Sequence, residues 1–172
     1  MSTFAAQAIR TQRLDLLPLH VEHADEMAAV LADPALHTFI GGTPDTPGAL
    51  RSRYRRLTAG SPDPGVSWLN WVIRHRGESC LTGTVQATVS CAGHGPVAEL
   101  AWVVGTPWQG RGIATEATRG LIASLDRQAV LTVIAHIHPE HRASAAVATA
   151  AGLTPSDERH EGEIRWRRGA GR

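Results

Sequence analysis

Apolar and polar positions recur along the chain with two periods, and together they divide it into alternating strands and helices. Residues 1–12 are weakly patterned, after which Arg13-Leu14-Asp15-Leu16-Leu17 alternates and predicts a first strand. An alanine-rich helix follows to about Asp33, where Pro34 is expected to close it. Thr46 can cap a second helix with Pro47 in its first turn, and Leu50, Tyr54 and Leu57 share one face of that helix. Ser61-Pro62-Asp63-Pro64-Gly65 breaks the pattern, and strands Ser67 to Arg76 and Leu81 to Ser90 follow as an antiparallel hairpin turning near Gly77-Glu78. Trp68, Asn70 and Val72 alternate with Leu69, Trp71 and Ile73, so both faces of the first hairpin strand are apolar and the strand is expected to be central and covered.

The second half reads more sharply. Val97 to Val104 is an apolar run with β-branched and aromatic residues, the mark of a mostly buried strand. From Gly112 to about Gln128, Ile113, Ala117, Leu121 and Leu125 recur at helical spacing. A strand Val130 to Ile137, a helix Ala143 to Ala151 stopped by Gly152, and one or two strands between Leu153 and Arg168 complete the chain. The order β-α-α-β-β-β-α-β-α-β suits an α/β (α+β) architecture, a mixed twisted sheet of about six to seven strands with helices on both faces.

Between the central strand and its helix stands Gln109-Gly110-Arg111-Gly112-Ile113-Ala114. A helix that begins at paired glycines presents unpaired N–H groups in one direction, with the macrodipole behind them, and so makes a seat for a phosphate or pyrophosphate. Glycine there is expected to let the anion approach the backbone. A P-loop would need a lysine after the glycine, and the chain has none, all seventeen of its basic side chains being arginine. A dinucleotide-binding turn would need glycine or alanine where Thr115 stands, and would follow the first strand of the fold.

Composition narrows the field further. The 172 residues suit one domain spanning 1–172, and 42% hydrophobic with 19% charged residues is ordinary for a soluble globular protein. A net charge of +1 gives no reason to expect nucleic acid or an anionic membrane as partner. No apolar run approaches the ~20 residues of a membrane span, nor does the N-terminus have a signal peptide's core, so a cytoplasmic protein is expected. Cys80 and Cys91 fall at opposite ends of one predicted strand and are expected to be free thiols, since that strand would hold them roughly 36 Å apart.

The glycine-rich stretch resembles the acyl-CoA signature Q/R-x-x-G-x-G/A of GNAT N-acetyltransferases, here Gln109, Gly112 and Ala114, and the flanking A-E-L-A-W-V-V and G-I-A-T-E-A look like RimJ/RimL-type members. The element order matches the family's over nearly the whole chain. The resemblance implies acetyl-CoA as co-substrate with no metal, its thioester arm along Trp102, Val103 and Val104, and its pyrophosphate on Gln109, Gly110, Arg111, Gly112, Ile113 and Ala114. Arg111, Arg119 or Arg142 could add charge against a phosphate, each being equally readable as an exposed helix arginine. The implied reaction is direct attack of a primary amine, on a protein N-terminus or a small molecule, with a general base removing the amine's proton.

Glu99, a carboxylate inside an apolar strand and similar in position to a strand glutamate of the family, is the candidate base; a carboxylate hydrogen-bonded near a strand end is the alternative. Many relatives use a tyrosine late in the chain as proton donor, but here the only tyrosine is Tyr54. His138-Pro139-Glu140-His141-Arg142-Ala143-Ser144 resembles the family's N-P-E-N-x-A-S with both asparagines replaced, which makes Ser144 the candidate donor and His141 the CoA contact; a first-turn helix serine satisfying backbone groups is the alternative for Ser144. His136, His138 and His141 also allow a metal reading, although the family register explains the segment without one. A domain that binds acyl-CoA without turnover is the alternative function, and a monomer or homodimer fits either.

Overall fold

The structure, a computed structural model, describes residues 4–169. Its strands are β1 (Ile9–Arg10), β2 (Leu14–Pro18), β3 (Val66–His75), β4 (Cys80–Ala92), β5 (Gly95–Val104), β6 (Thr132–Ile137), β7 (Thr154–His160) and β8 (Glu163–Arg168). Its helices are α1 (Ala24–Val30), α2 (Pro47–Ala59), α3 (Ile113–Arg127) and α4 (Arg142–Ala150). The eight strands form one sheet in the order β1-β2-β3-β4-β5-β6-β8-β7. The strand count exceeds the expected range because β1, two residues long, pairs with β2 within the weakly patterned start, and because the last segment folds as a full hairpin.

Alternation along β3 does what its two apolar faces predict. Leu69, Trp71 and Ile73 enter a core shared with α3 and α4, whereas Val72 enters a second core against α1 and α2. Trp71 is 2% exposed, and its indole N–H donates to the carbonyl of Gln7 at 2.8 Å, so its burial leaves no orphaned donor. Removing a side chain of that size from water contributes roughly 1.5–3 kcal/mol. Both helix layers are thereby fastened to the middle of the sheet.

Several boundaries shift by a few residues from the sequence pattern, and one differs in kind. Helix α1 ends at Val30, before Asp33, and Pro34 opens a separate 3-10 turn (Pro34–His37) instead of closing the helix. The Asp33 carboxylate caps that turn by accepting from the Ala35 N–H at 2.9 Å, which makes an Asp-Pro pair a start signal here. Strand β4 carries both cysteines, which are free; Cys80 is half-buried and Cys91 exposed.

One feature of the sheet positions the site. Every neighbouring pair of strands is antiparallel except β5 and β6, which run parallel and pair only from Val97–Thr132 to Leu100–Ala135. Beyond that register the two strands separate, leaving Ala101 to Val104 without a partner on the β6 side. Helix α3 connects the two strands, so its N-terminus stands at the open end of this gap.

Candidate active site

The turn from β5 into α3 is built by two left-handed residues, Gly110 (φ 73°) and Gly112 (φ 76°). A Cβ at Gly110 would meet nothing within 4 Å, so glycine is required there by backbone conformation rather than by crowding. Among the described residues, the N–H groups of Gly110, Arg111, Gly112, Ile113 and Ala114 have no acceptor; the first helical bond is Glu116 N–H to the Gly112 carbonyl at 3.0 Å. Unpaired donors clustered at the positive end of a 15-residue helix fit a pyrophosphate.

Long-range bonds hold this cradle in place. Glu116, in the first turn of α3, accepts from the Arg13 N–H at 2.8 Å, the Arg13 Nε at 2.7 Å and the Thr11 hydroxyl at 2.5 Å. Arg13 also donates to the Arg111 carbonyl at 2.9 Å. Burial opposes ionisation of Glu116, but the hydrogen bonds from Thr11 and Arg13 outweigh it and hold its carboxyl below the usual range. The Arg111 guanidinium turns away to Glu78 at 2.9 Å, and Arg119 donates to the Ala150 carbonyl at 2.9 Å. Of the three arginines singled out by sequence, only Arg142 lines the cavity described next.

A cavity of about 540 Å³ runs from the cradle to the gap between β5 and β6. Gln109, Gly110, Gly112, Ile113 and Ala114 line one end, and Trp102, Val103, Val104, His141 and Ser144 line the other. The Gln109 amide donates to the Val104 carbonyl at 3.0 Å, tying cradle to strand. On the other side of β5 a second cavity, of about 280 Å³, lies under α1 and α2. The two share Leu36, Trp102, Val103 and His141, so they meet where the strands part.

His141 caps α4 at that junction. Its ring stacks on Phe39, with centroids 4.4 Å apart and planes at 15°, and its Nε2 lies 3.3 Å from the Ser144 hydroxyl. Burial, reinforced by the neighbouring His138, pushes its pKa below the ordinary histidine value, so the ring is neutral at pH 7. His138 and His136 are engaged elsewhere. His138 Nδ1 accepts from the Glu140 N–H at 3.1 Å, and His136 Nδ1 lies 2.6 Å from Glu99. Among the described residues no group of three metal-ligating side chains converges.

Glu99 stands outside the lining of both cavities, with 48% of its side chain exposed. Arg165 Nε donates to His136 Nε2 at 3.0 Å, which leaves the proton of a neutral imidazole on Nδ1, facing Glu99. The carboxylate therefore belongs to a polar chain on the sheet face that α1 and α2 leave open. Tyr54, dismissed by sequence as too far upstream, lies in the wall of the second cavity and is 4% exposed. Its place on one face with Leu50 and Leu57 was readable, but what that face borders was not.

No curated protein sequence matches the chain. Among solved structures, an acetyltransferase from Agrobacterium tumefaciens is 26% identical, with 97% of this chain and 96% of that one covered at a TM-score of 0.69. RimL, a ribosomal L7/L12 alpha-N-protein acetyltransferase solved in complex with coenzyme A, superposes at a TM-score of 0.77 with 15% identity, covering 94% and 97%. The microcin C7 self immunity acetyltransferase MccE, solved with acetyl-CoA and AMP, gives 0.74 with 16% identity, covering 92% and 93%. A family model for the acetyltransferase (GNAT) domain matches residues 13–154, and the chain belongs to the GNAT family of acyl-CoA-dependent N-acetyltransferases.

Proposed function

We propose that the chain transfers the acetyl group of acetyl-CoA to a primary amine by direct attack, within one domain spanning the chain. The observation that carries this reading is the meeting of two cavities at Trp102, Val103 and His141, one leading to an anion cradle and the other open to a separate small molecule. Acetyl-CoA supplies a thioester carbonyl as electrophile. The unpaired amides of residues 110–114 hold its pyrophosphate, and the edge of β5 left free by the parting of the strands aligns its arm.

An alkylamine with a pKa near 10 enters largely as its ammonium form and must lose a proton before attack. His141 is the neutral, titratable group at the junction and accepts that proton. Ser144, within hydrogen-bond reach of His141 Nε2, passes a proton to the departing thiolate. Glu99 takes a supporting part, since it lies two residues from Ala101 of the second cavity and reaches the ammonium only through water.

The test is thermal stability against acetyl-CoA, free CoA, ATP and NAD, followed by thiol release with amines. A ligand at a hundred times its Kd stabilises by about 2.7 kcal/mol, which for a chain of this size raises Tm by about 5–11 °C. A rise confined to the CoA compounds, followed by amine-dependent thiol release, is expected. No rise with any of them would overturn the reading, and a rise without turnover on any amine would reduce the chain to an acyl-CoA-binding domain.

A further inference from the structure

We infer that the acceptor is a singly charged, apolar primary amine, bearing a group of leucine or phenylalanine side-chain size, and not a polyamine or an amino sugar. The inference rests on the reading of the second cavity as the acceptor site and concerns what that cavity can take. At about 280 Å³ it is smaller than the usual range for drug-sized ligands, so it accommodates one such group beyond the amine. One wall comes from the apolar faces of α1 and α2, with Leu31, Leu50 and Leu57, and the sheet forms the wall opposite. Ile40, 70% exposed, lies in the lining, one of the two large apolar side chains left in solvent among the described residues. An apolar occupant would cover it.

Charge argues the same way. Asp45 is the one carboxylate in the lining, and it already faces the Arg53 guanidinium at 3.4 Å. Asn70, Thr84 and Gln86, on the strands beneath, are neutral hydrogen-bonding groups. Arg51 on the same helix is paired with Asp25, and Arg55 and Arg56 are exposed, so the surroundings carry positive charge. A second ammonium on the acceptor would have to leave water without a free carboxylate to receive it, which is strongly unfavourable. A hydrophobic chain meets no such cost.

The experiment compares kcat/KM for phenethylamine, leucinamide, spermidine and kanamycin, at saturating acetyl-CoA, with the full chain and its Asn70→Asp variant. Phenethylamine or leucinamide is expected to exceed both polycations at least tenfold. Asn70→Asp, nearly isosteric, puts an unpaired carboxylate beneath the cavity and is expected to narrow or reverse that ratio for spermidine. A polycation as best acceptor of the unaltered chain would overturn the inference, as would a ratio unmoved by the variant. Acetyl-CoA raising Tm with neither apolar amine turned over would overturn it too. Absence of any Tm rise is a different failure, that of the acetyl-CoA reading itself.

Discussion

Gly83 of β4 offers the most direct test of how the sheet shapes the acyl-CoA cavity. A Cβ at this position would lie 2.2 Å from the Val103 carbonyl oxygen, 2.9 Å from the Val104 Cα and 3.1 Å from the Val103 carbonyl carbon. All three are backbone atoms of β5, so no side-chain rotation can relieve the contact. Because carbon and oxygen approach comfortably only to about 3.3 Å, Gly83→Ala must part β4 from β5 by roughly 1 Å where Gly83 pairs with Val104. Overpacking of this kind costs about 1–3 kcal/mol, a fall in Tm of roughly 2–12 °C at this chain length. The displaced residues are the ones lining the cavity at the gap, and a 1 Å misplacement of a positioning element can lower kcat/KM by about a hundredfold. Differential scanning fluorimetry and thiol release at varied acetyl-CoA would read both effects. Gly93→Ala, at a position with open space and an ordinary φ, provides the matched control. If Gly83→Ala behaved like that control in Tm and in kcat/KM, the close approach of β4 would not be what sets the line of β5.

Two further substitutions probe the cradle and the junction. Glu116→Gln keeps the shape of the brace to Arg13 and removes its charge. Because the folded-state pKa of Glu116 is depressed, the carboxylate contributes stability that is present above its unfolded value and lost as pH falls through the folded one. The Tm difference between the unaltered chain and this variant is therefore expected at neutral pH and to shrink on acidification below about pH 4.5; an equal difference at both ends would refute the assignment. His141→Gln preserves a hydrogen-bonding group beside Ser144 but cannot take a proton. It is expected to lower kcat by about 10²–10⁴-fold and to abolish the acid limb that His141 gives the kcat/KM–pH profile, which in the unaltered chain lies below the ordinary histidine pKa. Unchanged kcat with a raised KM for acetyl-CoA would instead make His141 a binding contact alone.

Much of the architecture was legible because it rests on local periodicity. The alternation of β3, the apolar run of β5 and the helical spacing after Gly112 each specify an element and the face it buries, and the structure follows them. Asp33-Pro34 misled because a proline reads equally as the end of one helix and the start of the next turn, and only the Ala35 N–H bond decides. The cradle's glycines were visible, but the brace that fixes them was not, since Thr11 and Arg13 lie more than a hundred residues before Glu116.

Glu99 shows most plainly where a one-dimensional pattern stops. A carboxylate within an apolar strand demands a partner or a purpose if it is buried, and the sequence could not say whether it was. Alternation puts Glu99 on the face opposite Ala98 and Leu100, which enter the core under α3 and α4. Whether that face is covered depends on how far α1 and α2 reach across the sheet, and their core takes in residues of β3 and β4 but none of β5 or β6. The carboxylate thus emerges into solvent beside His136, and Arg165 two strands away orients that ring toward it. The desolvation cost that made Glu99 conspicuous in the sequence is largely absent, whereas His141, read in the sequence as a CoA contact from its register with the family motif, is the group placed where two cavities meet. Which side chains reach the junction follows from the parting of β5 and β6, which is set by the sheet as a whole and not by the composition of any one strand.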